Sequence, residues 1–128
     1  MTDSLTRDEQ IRLTQNGFRL LALWDIPKAL HPQLLGLDET LPKRKLNRYR
    51  LGTPLPLDSD SYHRINLLLR IDAMLHKLFP HSELSANLWV TTPNIRYGGE
   101  LPLDTMLNDG LQGIERVERS LHAPHEWT

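Results

Sequence analysis

The apolar residues of the chain recur mostly at intervals of three and four positions, which is the spacing of an amphipathic helix. Ile65, Leu68 and Leu75 follow it in the longest such stretch, about Asp60–Phe79, which ends before Pro80. Alternation with a period of two, which would indicate a strand, is not sustained in the sequence. The pattern therefore predicts an all-α fold.

Capping and stop signals place the other helices. Thr6-Arg7-Asp8-Glu9 has the form of a capping box, so a helix is predicted from about residue 7 to Trp24. Thr40 suits the N-cap of a compact helix from Leu41 to about Arg50, with Pro42 in its first turn. A short helix or a pair of turns around Pro32 is predicted at about Lys28–Leu35, and a further helix at about Ser82–Val90.

The segment Leu88–Leu121 carries the densest turn signals. Pro93 removes a backbone donor and disfavours helical dihedrals at the residue before it, so a helix should end there. Asn94 fits an Asx-type turn, and Gly98-Gly99 permits a sharp reversal with positive φ. A short helix is expected from Pro102 to a stop at Gly110, followed by a last amphipathic helix that ends at about His122.

This succession resembles the C-terminal toxin-binding domain of the Xre/MbcA/ParS family of bacterial antitoxins. That domain typically has a helix end with tryptophan, a Pro-Asn turn, a glycine before a Pro-Leu helix, and a final helix led by glycine. The matching residues here are Leu88-Trp89-Val90, Thr92-Pro93-Asn94, Gly99, Leu101-Pro102-Leu103, Gly110 and Val117. With the upstream helices the resemblance covers roughly residues 18–122. The alternative interpretation is a generic small helical domain with ordinary turns.

The resemblance implies two lobes with different partners. Residues 58–128 would form the C-terminal lobe, which in this family binds and neutralises a RES-class toxin, an enzyme that degrades NAD. Residues 1–57 would form an N-terminal lobe, in which Leu34-Leu35-Gly36-Leu37, a turn and a basic helix look like a helix-turn-helix of the Xre type. The partners would be a RES-domain toxin and operator DNA, and a homodimer would suit two-fold operators.

The predicted helix before Arg50 is strongly basic, since five of the fifteen lysines and arginines fall within residues 43–50. Long cations suit DNA phosphates and guanine edges, and an amide suits adenine. The candidate DNA-binding residues are Lys43, Arg44, Lys45, Asn47, Arg48 and Arg50. The alternative is a solvated basic face whose cations pair with Asp38 and Glu39.

The last helix and the tail supply the candidate toxin-binding residues. An apolar stripe at helical spacing is formed by Leu111, Ile114, Val117 and Leu121. A terminal tryptophan with no core segment after it suits a binding anchor. The candidates are Leu111, Ile114, Arg116, Arg119, His122 and Trp127. Packing within the protein is the alternative for the stripe, and simple packing is the alternative for Trp127.

Composition narrows the class of protein. At 128 residues the chain fits one domain or two very small lobes, and it has no cysteine for disulfides, thiol catalysis or metal ligation. The net charge of −1 divides into +3 over residues 1–57 and −4 over residues 58–128, so the first half is suited to a polyanion. Without a long apolar run or a secretion signal, a cytoplasmic protein with no membrane association is expected.

Catalysis is not expected from this sequence. Only His122-x-x-His125 has ligand-like spacing, whereas a zinc site needs three or four ligands. Gly110-x-x-Gly113 lacks the third glycine or the lysine of a phosphate loop. Glu115 and Glu118 suit ion pairs along the helix better than acid–base chemistry. The sequence therefore predicts no catalytic residue, no metal and no cofactor.

The combined hypothesis is an antitoxin that sequesters a RES-type toxin and binds operator DNA to repress its own operon. The alternative is a stand-alone helix-turn-helix transcriptional regulator whose C-terminal lobe only dimerises. A third class is an adaptor that has lost DNA binding.

Overall fold

The computed structural model describes residues 5–122, and the regular structure within them is entirely helical, as predicted. The helices are α1 (Arg7–Leu23), α2 (His31–Leu34), α3 (Lys43–Leu51), α4 (Ser61–Leu78), α5 (Glu83–Leu88) and α6 (Pro102–His122). Short 3₁₀ turns occupy Lys28–Leu30, Trp89–Thr91 and Ile95–Tyr97. No helix in this described part is long and apolar enough to cross a membrane.

Helix α4 lies at the centre and packs against α1, α5 and α6. Its side chains are buried in more than one direction, because the adjacent Leu67 and Leu68 are both buried and successive helical residues point about 100° apart. Helix α1 approaches α4 closely at Gly17, where a Cβ atom would lie 2.8 Å from Cγ1 of Ile65. The absence of a side chain at this glycine therefore sets the spacing between the two helices.

A single hydrophobic core joins the two predicted lobes. Its buried apolar side chains extend along the chain from Phe18 to Leu121. Hydrogen bonds also cross the boundary: the Ser61 hydroxyl donates to the Leu35 carbonyl at 2.6 Å, and Gln33 Nε2 donates to the Leu107 carbonyl at 3.0 Å. The lobes at 1–57 and 58–128 therefore share one core, as buried polar groups and apolar side chains from both are packed together.

The capping box of α1 is present as predicted. The Thr6 hydroxyl accepts from the Glu9 amide at 3.2 Å, and the Glu9 carboxylate accepts from the Thr6 amide at 2.9 Å. The prediction for α3 was wrong by two residues, since Pro42 and not Thr40 is the N-cap. The residue before a proline avoids helical dihedrals, which keeps Leu41 out of the helix. Thr40 instead donates its amide and its hydroxyl to the Asp38 carboxylate.

Helix α6 bends sharply at Gly110, whose φ of 60° and ψ of −136° are not helical. This is the position at which the sequence predicts one helix to stop and another to begin. Beyond the bend, a Cβ atom on Gly113 would overlap the Thr105 carbonyl group. The two halves of α6 therefore pack backbone to backbone, a contact that only glycine at position 113 permits.

We predict that Gly113→Ala lowers the free energy of unfolding by about 2 kcal/mol, because overpacking costs more than the gain in helix propensity. Urea unfolding followed by circular dichroism measures this change. The matched control is Gln112→Ala at the exposed neighbouring position, which should not be destabilising. Equal stability of the two variants would contradict the close approach at Gly113.

Candidate functional site

Helix α3 presents a basic surface to solvent. Its inner side is held against α1 by the buried residues Leu46 and Tyr49. The exposed residues that we call the basic surface are Lys43, Arg44, Lys45, Asn47 and Arg48. Five of the six predicted DNA-binding residues thus lie together on one accessible helix.

The cations of the basic surface are not paired with acidic residues of the described part of the chain. Within residues 5–122, no carboxylate lies within 4.0 Å of their charged nitrogens. Asp38 is engaged with Thr40 instead, and these hydrogen bonds lower the pKa of the Asp38 carboxyl. The alternative in which Asp38 and Glu39 neutralise the basic helix is therefore not observed in this part of the structure.

Arg50, the sixth candidate, is built into the fold. Its guanidinium is half-buried, donating to Asn47 Oδ1 at 3.1 Å and to His31 Nδ1 at 3.2 Å. The guanidinium carbon lies 4.9 Å from the centroid of the Phe18 ring, within the range of a cation–π contact. We therefore separate Arg50 from the basic surface, because its donors and its flat face are already used within the protein.

His31 is the buried partner of Arg50 and was not singled out by the sequence. It is 1% exposed, and Nε2 lies 2.9 Å from the Ile26 carbonyl oxygen. A carbonyl only accepts, so Nε2 carries the proton and Nδ1 accepts from Arg50. Burial lowers the pKa of His31, outweighing the bond to Ile26, and the Arg50 cation lowers it further. The imidazole is therefore held neutral between α3 and the chain before α2.

A groove of about 530 Å³ runs beside the basic surface, between α3 and the turn before α2. Its walls combine cations, one carboxylate, one amide and apolar side chains, namely Lys28, Ala29, Pro32, Glu39, Leu41, Lys43, Leu46, Asn47 and Arg50.

Helix α2 is a single turn that packs on α6, and α3 packs chiefly against α1. In a helix-turn-helix the recognition helix is supported by the helix that precedes it. Here α3 is supported mainly by α1.

At the other end of the chain, a turn over residues 94–100 is fixed to α6. The Trp89 and Tyr97 rings meet edge to face with centroids 6.0 Å apart. The Tyr97 hydroxyl lies 2.7 Å from the Ser120 hydroxyl, whose own proton goes to the Val117 carbonyl. Tyr97 is therefore the donor, and its burial raises the pKa of its hydroxyl.

The Asx-type role predicted for Asn94 is observed in this turn. Its side-chain oxygen accepts from the Arg96 amide at 2.9 Å. Gly98 and Gly99 follow with φ of 68° and 84°, the positive values that the sequence predicted for this pair. The turn leads directly into Leu101 and α6. The hydrogen bonds of the turn therefore fix the backbone path into α6.

Residues 74–123 match the family model of the antitoxin Xre/MbcA/ParS C-terminal toxin-binding domain. This segment of the chain is similar to that toxin-binding domain. It contains the end of α4, all of α5, the 94–100 turn and α6. No curated protein matches the chain. The match agrees with the resemblance drawn from the sequence and supports an antitoxin role.

The structure separates the predicted toxin-binding residues of α6 into buried and exposed ones. Ile114 is 0% exposed and belongs to the core. Because a side chain without accessible surface cannot contact a partner, the assignment of Ile114 to a binding surface is wrong. Leu111 is half-buried and packs against the same core. The stripe on α6 thus serves the fold, which was the alternative interpretation.

The polar candidates of α6 are at the surface. Arg116 donates to Asp109 at 2.6 Å, an ion pair that spans the bend at Gly110. His122 is hydrogen-bonded to Glu118 one turn earlier, and Arg119 is exposed. Trp127, the last candidate, lies outside the described residues.

Three exposed apolar side chains of the matched segment were not among the binding candidates predicted from the sequence. These are Leu84 and Leu88 on α5, and Ile95 at the tip of the 94–100 turn. An isoleucine between Asn94 and the Gly98-Gly99 pair was an available signal, because connecting turns run over the surface of a protein. Periodicity could not reveal it, since the turn has no helical repeat.

Metal binding gains no support from the described residues. They contain no group of three or more histidine, aspartate or glutamate side chains placed to hold a metal ion. His125, the partner of His122 in the spacing noted above, lies outside the described residues.

We predict that Arg50→Ala lowers the free energy of unfolding by about 2 kcal/mol, because it removes the contact with Phe18 and leaves His31 Nδ1 without its donor. Arg48→Ala, on the exposed side of the same helix, is the matched control and should leave stability nearly unchanged. Thermal and urea unfolding of both variants test this. Similar effects of the two substitutions would show that Arg50 is only another surface cation.

Proposed function

We propose that this protein is an antitoxin that binds and neutralises a RES-type toxin, an enzyme that degrades NAD. The observation that carries this proposal is the match of residues 74–123 to an antitoxin toxin-binding domain. The RES class of the partner is what the sequence resemblance of residues 18–122 to that antitoxin family implies. We propose that neutralisation is stoichiometric binding without catalysis, in the cytoplasm where the toxin acts.

Neutralisation requires a surface that covers the toxin's catalytic cleft. Arg119 and His122 lie exposed towards the end of α6, and the tail that follows contains Trp127. An arginine there would pair with acidic groups of a cleft, and a tryptophan would supply a large apolar contact. We propose that the end of α6 and the tail together block the toxin.

We predict that a RES-domain protein encoded beside this chain, carrying an affinity tag, co-purifies with the untagged chain as a stable complex. A chain truncated after Ala123, which keeps all of α6, should bind the toxin at least tenfold more weakly in calorimetry. The truncation removes the terminal tryptophan and retains every residue of the described core.

The control for truncation is Trp127→Phe in the full chain, which retains the tail and an aromatic ring. No complex with the full chain would contradict the antitoxin assignment. A complex that the truncation leaves unchanged would place the blocking surface elsewhere on the domain.

We further propose that the basic surface of α3 binds operator DNA and represses the operon. Four cations on one exposed helix, none paired with a carboxylate among residues 5–122, support contact with a polyanion, as does the net charge of +3 in this half of the chain. A homodimer would place two such helices on the half-sites of a symmetric operator. If the basic surface has no such role, the protein acts as an adaptor between toxin and other partners.

We predict that replacing Lys43, Arg44 and Arg48 with glutamine weakens operator binding. The slope of log K against log salt should fall in magnitude by up to about 3, one for each lost phosphate contact. Fluorescence anisotropy with the promoter fragment at several salt concentrations measures both quantities.

The matched control replaces three exposed cations elsewhere, Arg12, Arg70 and Lys77, with glutamine. It changes the net charge by the same amount and leaves α3 intact. Equal losses in the two triple variants would indicate a non-specific charge effect and would contradict the assignment of α3.

A further inference from the structure

Ile95 is the most exposed large apolar side chain of the described residues, with 91% of its surface accessible. It lies at the first position of the 3₁₀ turn Ile95–Tyr97, within the matched toxin-binding domain. An isolated surface leucine or isoleucine is ordinary in proteins. Ile95 differs from such residues in two respects. Its backbone is held rigidly by the turn, and it lies within the matched toxin-binding domain.

The backbone around Ile95 is held by a closed set of hydrogen bonds. The Asn94 amide donates to the Glu100 carbonyl at 3.0 Å, and the Gly99 amide donates back to the Asn94 carbonyl at 3.0 Å. The Asn94 side chain accepts from the Arg96 amide, and the Gly98 amide donates to the Ile95 carbonyl at 3.1 Å. The turn therefore presents Ile95 in one conformation without help from the isoleucine side chain itself.

The same turn is anchored to the rest of the domain by the residue two positions later. Tyr97 packs on Trp89 and donates to Ser120 on α6 at 2.7 Å. The position of Ile95 is thus fixed relative to the exposed end of α6, where Arg119 and His122 lie. A pre-organised backbone loses little conformational entropy on binding, and the β-branch of isoleucine restricts χ1, so Ile95 suits an anchor.

We propose that Ile95 is an anchor of the toxin interface and inserts into an apolar pocket on the toxin surface. This inference rests on the proposed function, since the toxin is the occupant that the domain family supplies. The toxin interface then has two parts, which are the 94–100 turn and the end of α6 with the tail. Tyr97 acts in this contact as a positioning residue that holds the turn against α6.

The test measures binding of the full chain to the neighbouring RES-domain protein by calorimetry, with Ile95→Ala and Ile95→Asp. Because the side chain is exposed, both variants should fold and unfold like the wild type. The matched control is Leu51→Ala, since Leu51 is 83% exposed but lies outside the matched segment. We expect at least tenfold weaker binding for Ile95→Ala, a larger loss for Ile95→Asp, and a change below twofold for Leu51→Ala.

The outcomes separate this inference from the proposed function. Wild-type binding that both Ile95 variants retain would overturn the anchor and leave the antitoxin assignment in place. Absence of binding by the wild-type chain would overturn the antitoxin assignment and the anchor together. Equal losses for Ile95→Ala and Leu51→Ala would also overturn the anchor, because the effect would not depend on the 94–100 turn.

Discussion

The packing of α4 on three other helices at once is the constraint on which the rest of the structure depends. A helix of 18 residues whose apolar side chains point in several directions cannot leave any of those sides to water. Helices α1, α5 and α6 cover it, and α1 in turn carries α3. Folding of the matched segment 74–123 and of the basic surface is therefore coupled through one shared core.

This shared core explains why the same kinds of residue play different parts at the two proposed binding surfaces. Arg50 and Ile114 look like binding residues in the sequence but face inward, where burial makes them structural. Arg48 and Ile95 face outward and have no structural task among the described residues that would fix their identity. A cation or an apolar side chain is available for a partner only when the fold does not already use it.

The sequence predicts well those features that depend on neighbouring residues. The capping box at Thr6 and Glu9, the Asx turn at Asn94 and the break at Gly110 all arise from interactions within a few positions. The Arg50–His31 pair could not be predicted, because 19 residues separate its members and only the packing of α3 brings them together. The burial of Ile114 likewise depends on the packing of α6 against α4. Periodicity identifies the apolar stripe but cannot determine whether it packs within the protein or on a partner.

We propose that this chain protects a cell from an NAD-degrading partner. The most direct measurement is the cellular NAD concentration after induction of the neighbouring RES-domain protein, with and without co-expression of this chain. The account predicts that NAD falls when the RES-domain protein is expressed alone and stays at its starting level when the chain is present. The same fall in NAD in both cultures, with both proteins detected, would contradict it.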